Sequence, residues 1–335
     1  MRCMKYKLSV IISVYNSAKY LKRCLDSLMQ QTLTDVEFIF INDASTDDSL
    51  TILHEYESLF QNLAIKIINL KENGGIANAR NIGLSNAEGE YITHCDSDDW
   101  IETDTYETLY NLAKTNNADI TSCNFYHEYP NCQRVIKQPY SSKKEECIKK
   151  LLNGDLFPSL WASIIKCELI VKYHLHFPKG LNMGEDLFFN IQAYYYSNVI
   201  TSTDKAFYHY YHHHDSVCVQ RSRTSINSDI IIAGLIEQFF KERNEYGTFL
   251  KEIAYRKFYS KLPLIKNFND KTAYHDWLCI YQETHPYIMS FGQIEIKLRA
   301  MLWLAAHHLF YVGKCLKFLL ILQNKIKSAI SLKSL

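Results

Sequence analysis

An α/β fold built on a doubly wound, mostly parallel sheet is predicted by two observations on this chain of 335 residues. Short apolar runs recur as continuous rather than alternating stretches, the pattern of parallel strands buried on both faces. Between them lie segments with helical spacing, and such strand–helix alternation builds a sheet covered by helices. The runs occupy residues 8–14, 38–42, 65–70 and 91–95, with 120–125 a fifth. Helical stretches fill 18–31, 47–60, 75–86 and 104–116; in the first, Leu21, Leu25, Leu28 and Met29 share one face. The middle, 126–230, is less regular and rich in Tyr and His, and from about residue 226 the chain reads helical. The expected division is therefore 1–225, carrying the sheet, and 226–335, a helical C-terminal extension.

Composition bounds the function. Hydrophobic residues make up 47% and charged residues 22%, which supplies a large core and excludes disorder, collagen and a disulfide-stapled miniprotein. Lys plus Arg number 37 against 36 Asp plus Glu, a net charge of +1 that argues against a general nucleic-acid binder. The balance is uneven. After Glu295 stand seven basic residues and no acidic one, so the preceding chain holds 30 basic against 36 acidic residues. Such asymmetry points to an anionic surface as partner of the tail. Ten scattered cysteines without a CxxC pair fit neither a zinc site nor a disulfide framework, and reduced thiols in a cytosolic protein are the simple expectation. The first apolar run resembles a short signal segment, but Tyr15-Asn16 follows where small residues should mark cleavage. No stretch of 18 residues lacks a charge, so a spanning helix is not expected.

In open α/β sheets ligands bind beyond the carboxyl ends of the strands. The first run ends at Tyr15-Asn16, the second at Asn42-Asp43-Ala44-Ser45-Thr46-Asp47, the third at Asn73-Gly74-Gly75 and the fourth at Asp96-Ser97-Asp98-Asp99. Polar and acidic groups are thus sent to one predicted edge.

Each constellation carries two readings. Asp96, Asp98 and Asp99 repel one another unless solvent or a cation compensates, so they form either a solvated turn capping the next helix or a site for a hard divalent cation. Ser45 or Thr46 can cap a helix and Asp47 can do structural work, whereas Asp43, first past a buried strand, is placed to accept from a base or a ribose hydroxyl. Asn73-Gly74-Gly75 opens a helix and allows close backbone approach, with Arg80 available to phosphate or base. It matches neither the dinucleotide nor the phosphate-loop glycine pattern. Glu185-Asp186 opens an apolar helical stretch, where Asp186 is either a cap or a general base held ionised by the helix start. His212, His213 and His214 form either a solvated loop or a source of one imidazole metal ligand, and Ser216 can contact phosphate.

Together these residues resemble the inverting family 2 glycosyltransferases, which have the A-type glycosyltransferase fold. The order carries the resemblance: Ser-Val-Tyr-Asn at 13–16, Asn-Asp-Ala-Ser-Thr-Asp at 42–47, Asn-Gly-Gly at 73–75, Ala-Arg-Asn at 79–81, Asp-Ser-Asp-Asp at 96–99 and Gly-Glu-Asp-Leu-Phe-Phe at 184–189. It spans about residues 7–217. The segment from Trp161 to Ile170 is similar to the one that precedes the catalytic acidic pair in such enzymes. The resemblance implies that Tyr15, Asn16 and Asn73 line the nucleotide pocket, that Asp43 contacts the base with Arg80 nearby, and that Asp96 faces ribose or sugar. It implies that Asp98 holds Mn²⁺ or Mg²⁺ on the donor diphosphate and that Asp99 and Trp161 lie on the sugar or acceptor side. Asp186 is then the catalytic base, with Glu185 its neighbour. Two departures stand out. Ser13 replaces a frequent Pro, and Tyr211 and His212 stand where relatives often carry an Arg before Ser216. His213 is the candidate for a further metal ligand.

The implied activity is transfer of a sugar from a nucleotide diphosphate donor, a UDP-sugar first among them, to a hydroxyl of a glycan or lipid-linked acceptor in surface polysaccharide assembly. Two rivals are a non-catalytic sugar-nucleotide-binding scaffold and a nucleotide-dependent oxidoreductase; the acidic residues speak against the first and the missing glycine fingerprint against the second. A helical wheel places Leu302, Ala305, Leu309, Val312, Leu316 and Leu320 on one face and His307, Lys314, Lys317 and Lys325 on the other. This predicts a helix lying in an anionic membrane surface or packed on the protein's own core. A cytoplasmic protein, peripheral on the inner face of the plasma membrane, is the corresponding expectation.

Overall fold

A computed structural model of the chain describes residues 4–213, 222–265 and 271–309. The described residues fall into two compact units that divide between Ser228 and Asp229.

The first unit is built on a nine-stranded sheet. Strands β1 (Tyr6–Val14), β2 (Val36–Asn42), β3 (Ala64–Asn69) and β4 (Gly89–Asp96) alternate with helices α1 (Ala18–Met29), α2 (Ser49–Leu59) and α3 (Ile76–Asn86). There follow β5 (Trp100–Ile101), α4 (Thr105–Asn116), β6 (Ile120–Tyr129), β7 (Cys132–Ile136), α5 (Lys144–Asn153), β8 (Ser163–Lys166), α6 (Cys167–Lys172), α7 (Glu185–Tyr196) and β9 (Ile200–Tyr211). The spatial order is β3-β2-β1-β4-β8-β6-β9-β5, with β7 on β6. From β3 to β4 all pairing is parallel, and the apolar runs of β1 and β2 are buried as their continuous pattern predicts. Beyond β4 the sheet is mixed: β8 is antiparallel to both β4 and β6, while β6 and β9 run parallel.

Helices cover both faces. Leu21, Cys24, Leu25 and Leu28 of α1 join Leu8, Val10, Ile12 and Val14 of β1 and Tyr106 and Leu109 of α4 in one core. Burying such a leucine stabilises by about 1.5–3 kcal/mol. Helix α3 lies against the opposite face, so close that a Cβ on Gly83 would stand 2.3 Å from Cγ2 of Ile11.

Strand order reverses between β1 and β4, the place where open α/β sheets bind ligands. Register levels the strand ends there: Ser13 pairs with Asp96, Val14 with Asn42 and Asn42 with Asn69. Strand β9 is the element least visible in sequence. Its first half is largely exposed, and its second half is tied to β6 by cross-strand pairs, Tyr208 on Phe125, His209 on Tyr126 and Tyr210 on His127.

The second unit is helical: the part of α8 (Arg223–Lys241) from Asp229 on, α9 (Leu250–Ile265), α10 (Lys271–Cys279) and α11 (Ile296–Ala306), with 3-10 turns at Tyr246–Phe249 and Gln282–Ser290. Phe240, Phe249, Phe258 and Trp277 are fully buried. Lys261 is buried as well, its ammonium donating to the carbonyls of Trp277, Ile280 and Tyr281. Of the two readings of the amphipathic stretch, Leu302 and Ala305 follow the one that packs it on the protein's own core, since neither has exposed surface, while Leu309 is 46% exposed. Val312, Leu316, Leu320 and the lysines from Lys314 on lie outside the described residues. No helix among the described residues is long and apolar enough to cross a membrane.

Candidate active site

The ends of β1, β2 and β3 are laced together by side chain to backbone bonds. Asn16 sits in the left-handed region at φ 48°, and its Oδ1 accepts from the Thr46 amide at 2.8 Å. Asp47 accepts from the amides of Ala18 and Ser49, the structural work expected of it. Ala44, φ 56°, is a strained turn for a residue with a Cβ. Asp43 is buried, and its two oxygens accept from the amides of Gly74 (2.8 Å) and Gly75 (2.9 Å). Gly75 needs to be glycine: its φ is 80°, and a Cβ would stand 2.6 Å from Oδ1 of Asn182. The Asn73 side-chain amide donates to the Asp43 carbonyl at 3.3 Å, and Tyr15, just past the end of β1, is 52% exposed.

The acidic residues meet around one guanidinium. Arg80, projecting from α3, is buried; Nη1 lies 2.7 Å from Oε1 of Glu185 and Nη2 3.4 Å from Oδ1 of Asp96. Burial works against its charge, but Glu185, Asp96 and Asp186 outweigh it and hold the guanidinium above its ordinary value. Arg80 thus joins the end of β4 to the start of α7. Burial pushes Asp96 up to about 6; Arg80 opposes the rise, and Asp98 and Glu185 add to it. Glu185 and Asp186 open α7 behind Gly184, where the helix dipole favours negative charge. Of this pair, Glu185 is buried on Arg80, whereas Asp186 is half-buried and accepts from the Leu187 amide at 2.7 Å.

The two adjacent aspartates of the turn part company. Asp98 is 33% exposed, with Oδ2 2.8 Å from Nε2 of His213. The structure therefore brings these two together across 115 residues. His213 is flanked by Tyr20 and Tyr211 (ring centroids 4.5 and 5.8 Å), and its Nδ1 is buried without a hydrogen-bond partner.

Asp99 points inward and has no exposed surface. Its oxygens accept from the Tyr208 hydroxyl and the Tyr211 amide, each at 2.8 Å. Burial, reinforced by Asp98 and Asp96, raises its pKa well above the usual carboxylate range. This corrects the expectation that Asp99 faces sugar or acceptor, because successive residues of the turn point to opposite sides. Trp161 is corrected likewise. It is 5% exposed and stacks on Tyr208 at 4.0 Å, so it belongs to the core beneath the turn. Ser216 lies outside the described residues.

Sequence reasoning passed over Arg23 and Tyr208. Arg23 Nη2 donates to the Asp98 carbonyl at 2.7 Å, and the guanidinium lies over the rings of Trp100 (3.8 Å) and Tyr211 (4.4 Å). Tyr208 was visible only as part of a Tyr- and His-rich run, and nothing local marks a phenol that bonds the acidic turn.

The chain is similar to known proteins. A family model described as glycosyl transferase family 2 matches residues 9–173. EpsH of Bacillus subtilis (strain 168), a glycosyltransferase by name, is 31% identical over 252 residues, covering 73% of this chain and 72% of that protein. The cholesterol galactosyltransferase of Borreliella burgdorferi is 29% identical over 327 residues, 88% of this chain and 90% of that protein. Among solved structures, Staphylococcus aureus TarS 1–349 in complex with UDP-GlcNAc superposes with a TM-score of 0.68 at 23% identity, covering 92% of this chain and 90% of that one.

Proposed function

This chain belongs to glycosyl transferase family 2 and has the A-type glycosyltransferase fold, and from that premise we propose that it is an inverting enzyme moving a sugar from a UDP-sugar to a hydroxyl of a glycan or lipid-linked acceptor. The observation that carries the reading is the meeting of Asp96 with Glu185 on Arg80, which sets the end of β4 beside the start of α7. One wall then faces the donor and the other carries the base.

The nucleotide would lie over the ends of β1 to β3. Each oxygen of Asp43 spends one lone pair on a glycine amide and keeps another for a base N–H. Tyr15, Asn16 and Asn73 rim the same place. Asp96 would accept from the ribose or sugar hydroxyls. The UDP-GlcNAc complex of TarS is the reason for preferring a UDP-sugar.

The family resemblance implies Mn²⁺ or Mg²⁺, and the residues fit such an ion. Asp98 is partly exposed, and His213 offers an imidazole nitrogen at the same spot while its other nitrogen has no partner. Among the described residues no group of three or more His, Cys, Asp or Glu is placed to hold a metal ion by itself. Two protein ligands completed by donor phosphates is the usual manner of holding Mg²⁺. When bound, the cation supplies Lewis-acid neutralisation of the departing diphosphate.

Asp186 takes the acceptor proton as that oxygen attacks the anomeric carbon from the side opposite the diphosphate. Glu185 is buried in an ion pair with Arg80, and Asp186 is the more exposed member of the pair, the one a substrate can reach. It stands in the first turn of α7, where the helix dipole favours negative charge. One base suffices because a single displacement inverts the anomeric centre. A lipid-linked acceptor would bring the enzyme to a membrane surface, where the basic excess after Glu295 favours anionic lipid.

Asp186→Asn tests the assignment. Turnover should fall by about 10²–10⁴-fold, the usual contribution of a general base, while the UDP-sugar dissociation constant stays within about threefold. Equal loss of both would make Asp186 a helix cap.

A further inference from the structure

Asp99 takes no part in the chemistry proposed above, yet it is a carboxylate with no exposed surface. Burying a carboxylate is costly unless its partners are well placed, and an apolar residue often does as well for stability. Its partners show what it holds. Oδ1 accepts from the Tyr211 amide and Oδ2 from the Tyr208 hydroxyl, both at 2.8 Å. The Tyr208 oxygen also accepts from the Asp96 amide at 3.0 Å. One phenol oxygen therefore bonds both ends of the turn from Asp96 to Asp99. Two residues beyond Tyr211, the chain presents His213 to Asp98 at 2.8 Å. From the other side Arg23 donates to the Asp98 carbonyl and lies over Trp100 and Tyr211.

We propose that Asp99 and Tyr208 are positioning residues of the donor site: they lock the end of β9 onto the acidic turn, so that His213 and Asp98 are already paired when metal and diphosphate arrive. This rests on the proposed function only in taking Asp98 and His213 as metal ligands. The gain is pre-organisation. An imidazole supplied from 115 residues away is ordered at folding rather than at binding, so its ordering does not weaken affinity.

Tyr208→Phe is the test, because it keeps the ring on Trp161 and removes only the oxygen. The first readout needs no metal. In the metal-free full chain, hydrogen exchange of the peptide carrying Tyr211 and His213 should quicken by about tenfold, with β2 unchanged. The second is Mn²⁺ binding in the presence of UDP, followed by the electron paramagnetic resonance of the free ion. Tyr208→Phe should weaken it by about tenfold, but by less than about twofold in a His213→Ala background, because the effect runs through His213. Asp99→Asn should show the same pattern more weakly. Unchanged exchange overturns the proposal, as does a tenfold loss that persists without His213. A wild-type chain that binds no Mn²⁺ while the exchange difference appears refutes the metal reading and leaves the clamp standing.

Discussion

Replacing Arg80 by methionine keeps much of the aliphatic stem and removes the guanidinium on which the site converges. Glu185 is then left buried and uncompensated, since both side chains of that pair are only 7% exposed. Removing one partner of a buried ion pair costs about 3–5 kcal/mol. Asp96, at 27% side-chain exposure and 3.4 Å, adds less, because solvent screens it. A loss of about 3–5 kcal/mol lowers the folding constant of the first unit by roughly two to four powers of ten.

The pH dependence sharpens the prediction. Asp96 already titrates at about 6 with Arg80 pulling it down, so in the variant it titrates higher. An acid whose folded-state pKa lies above its unfolded value of about 3.9 contributes stability that is complete below that value and is lost as pH rises through the folded pKa. The share of the Arg80→Met deficit that comes from Asp96 should therefore be small at about pH 5 and grow as pH rises above 6, on top of the larger share from Glu185. Urea denaturation followed by the fluorescence of Trp100 and Trp161, both in the first unit, measures it. A deficit below about 1 kcal/mol at pH 8, or one equal at pH 5 and 8, would refute the claim that Arg80 neutralises buried carboxylates.

Other substitutions divide the remaining roles. Asp98→Ala should raise the Mn²⁺ concentration for half-maximal turnover by at least about tenfold, and an unchanged metal titration would remove it from the ion's shell. Asp43→Asn loses an acceptor for one glycine amide and should raise the donor KM by roughly tenfold with kcat nearly kept; an equal fall in kcat would deny it a binding role. Trp161→Ala should cost about 3–5 kcal/mol by calorimetry, while Trp161→Phe leaves the acceptor KM unchanged, and the reverse pattern would restore it to the acceptor side. Lys261→Met strips the carbonyls of Trp277, Ile280 and Tyr281 of their ammonium and should destabilise the second unit by at least about 2 kcal/mol, read from Trp277 fluorescence in denaturant.

Local sequence determined the framework of this protein. The largely apolar runs at 8–14, 38–42 and 91–95 suit strands covered on both faces, and β1, β2 and β4 are where they predict. Leu21, Leu25 and Leu28 repeat at helical spacing and are the buried stripe of α1. Because parallel strands with helical crossovers send their carboxyl ends to one edge, the gathering of Asn16, Asp43, Asn73 and Asp96 was legible too. Tertiary structure decided what no periodicity encodes. It set Asp98 toward His213 and its neighbour Asp99 into the core, buried Glu185 against Arg80, and stacked Trp161 on Tyr208. These choices depend on contacts between residues that are mostly a hundred or so positions apart. Spacing along a chain reveals which face a side chain takes, whereas its partner follows only from the register in which distant strands settle.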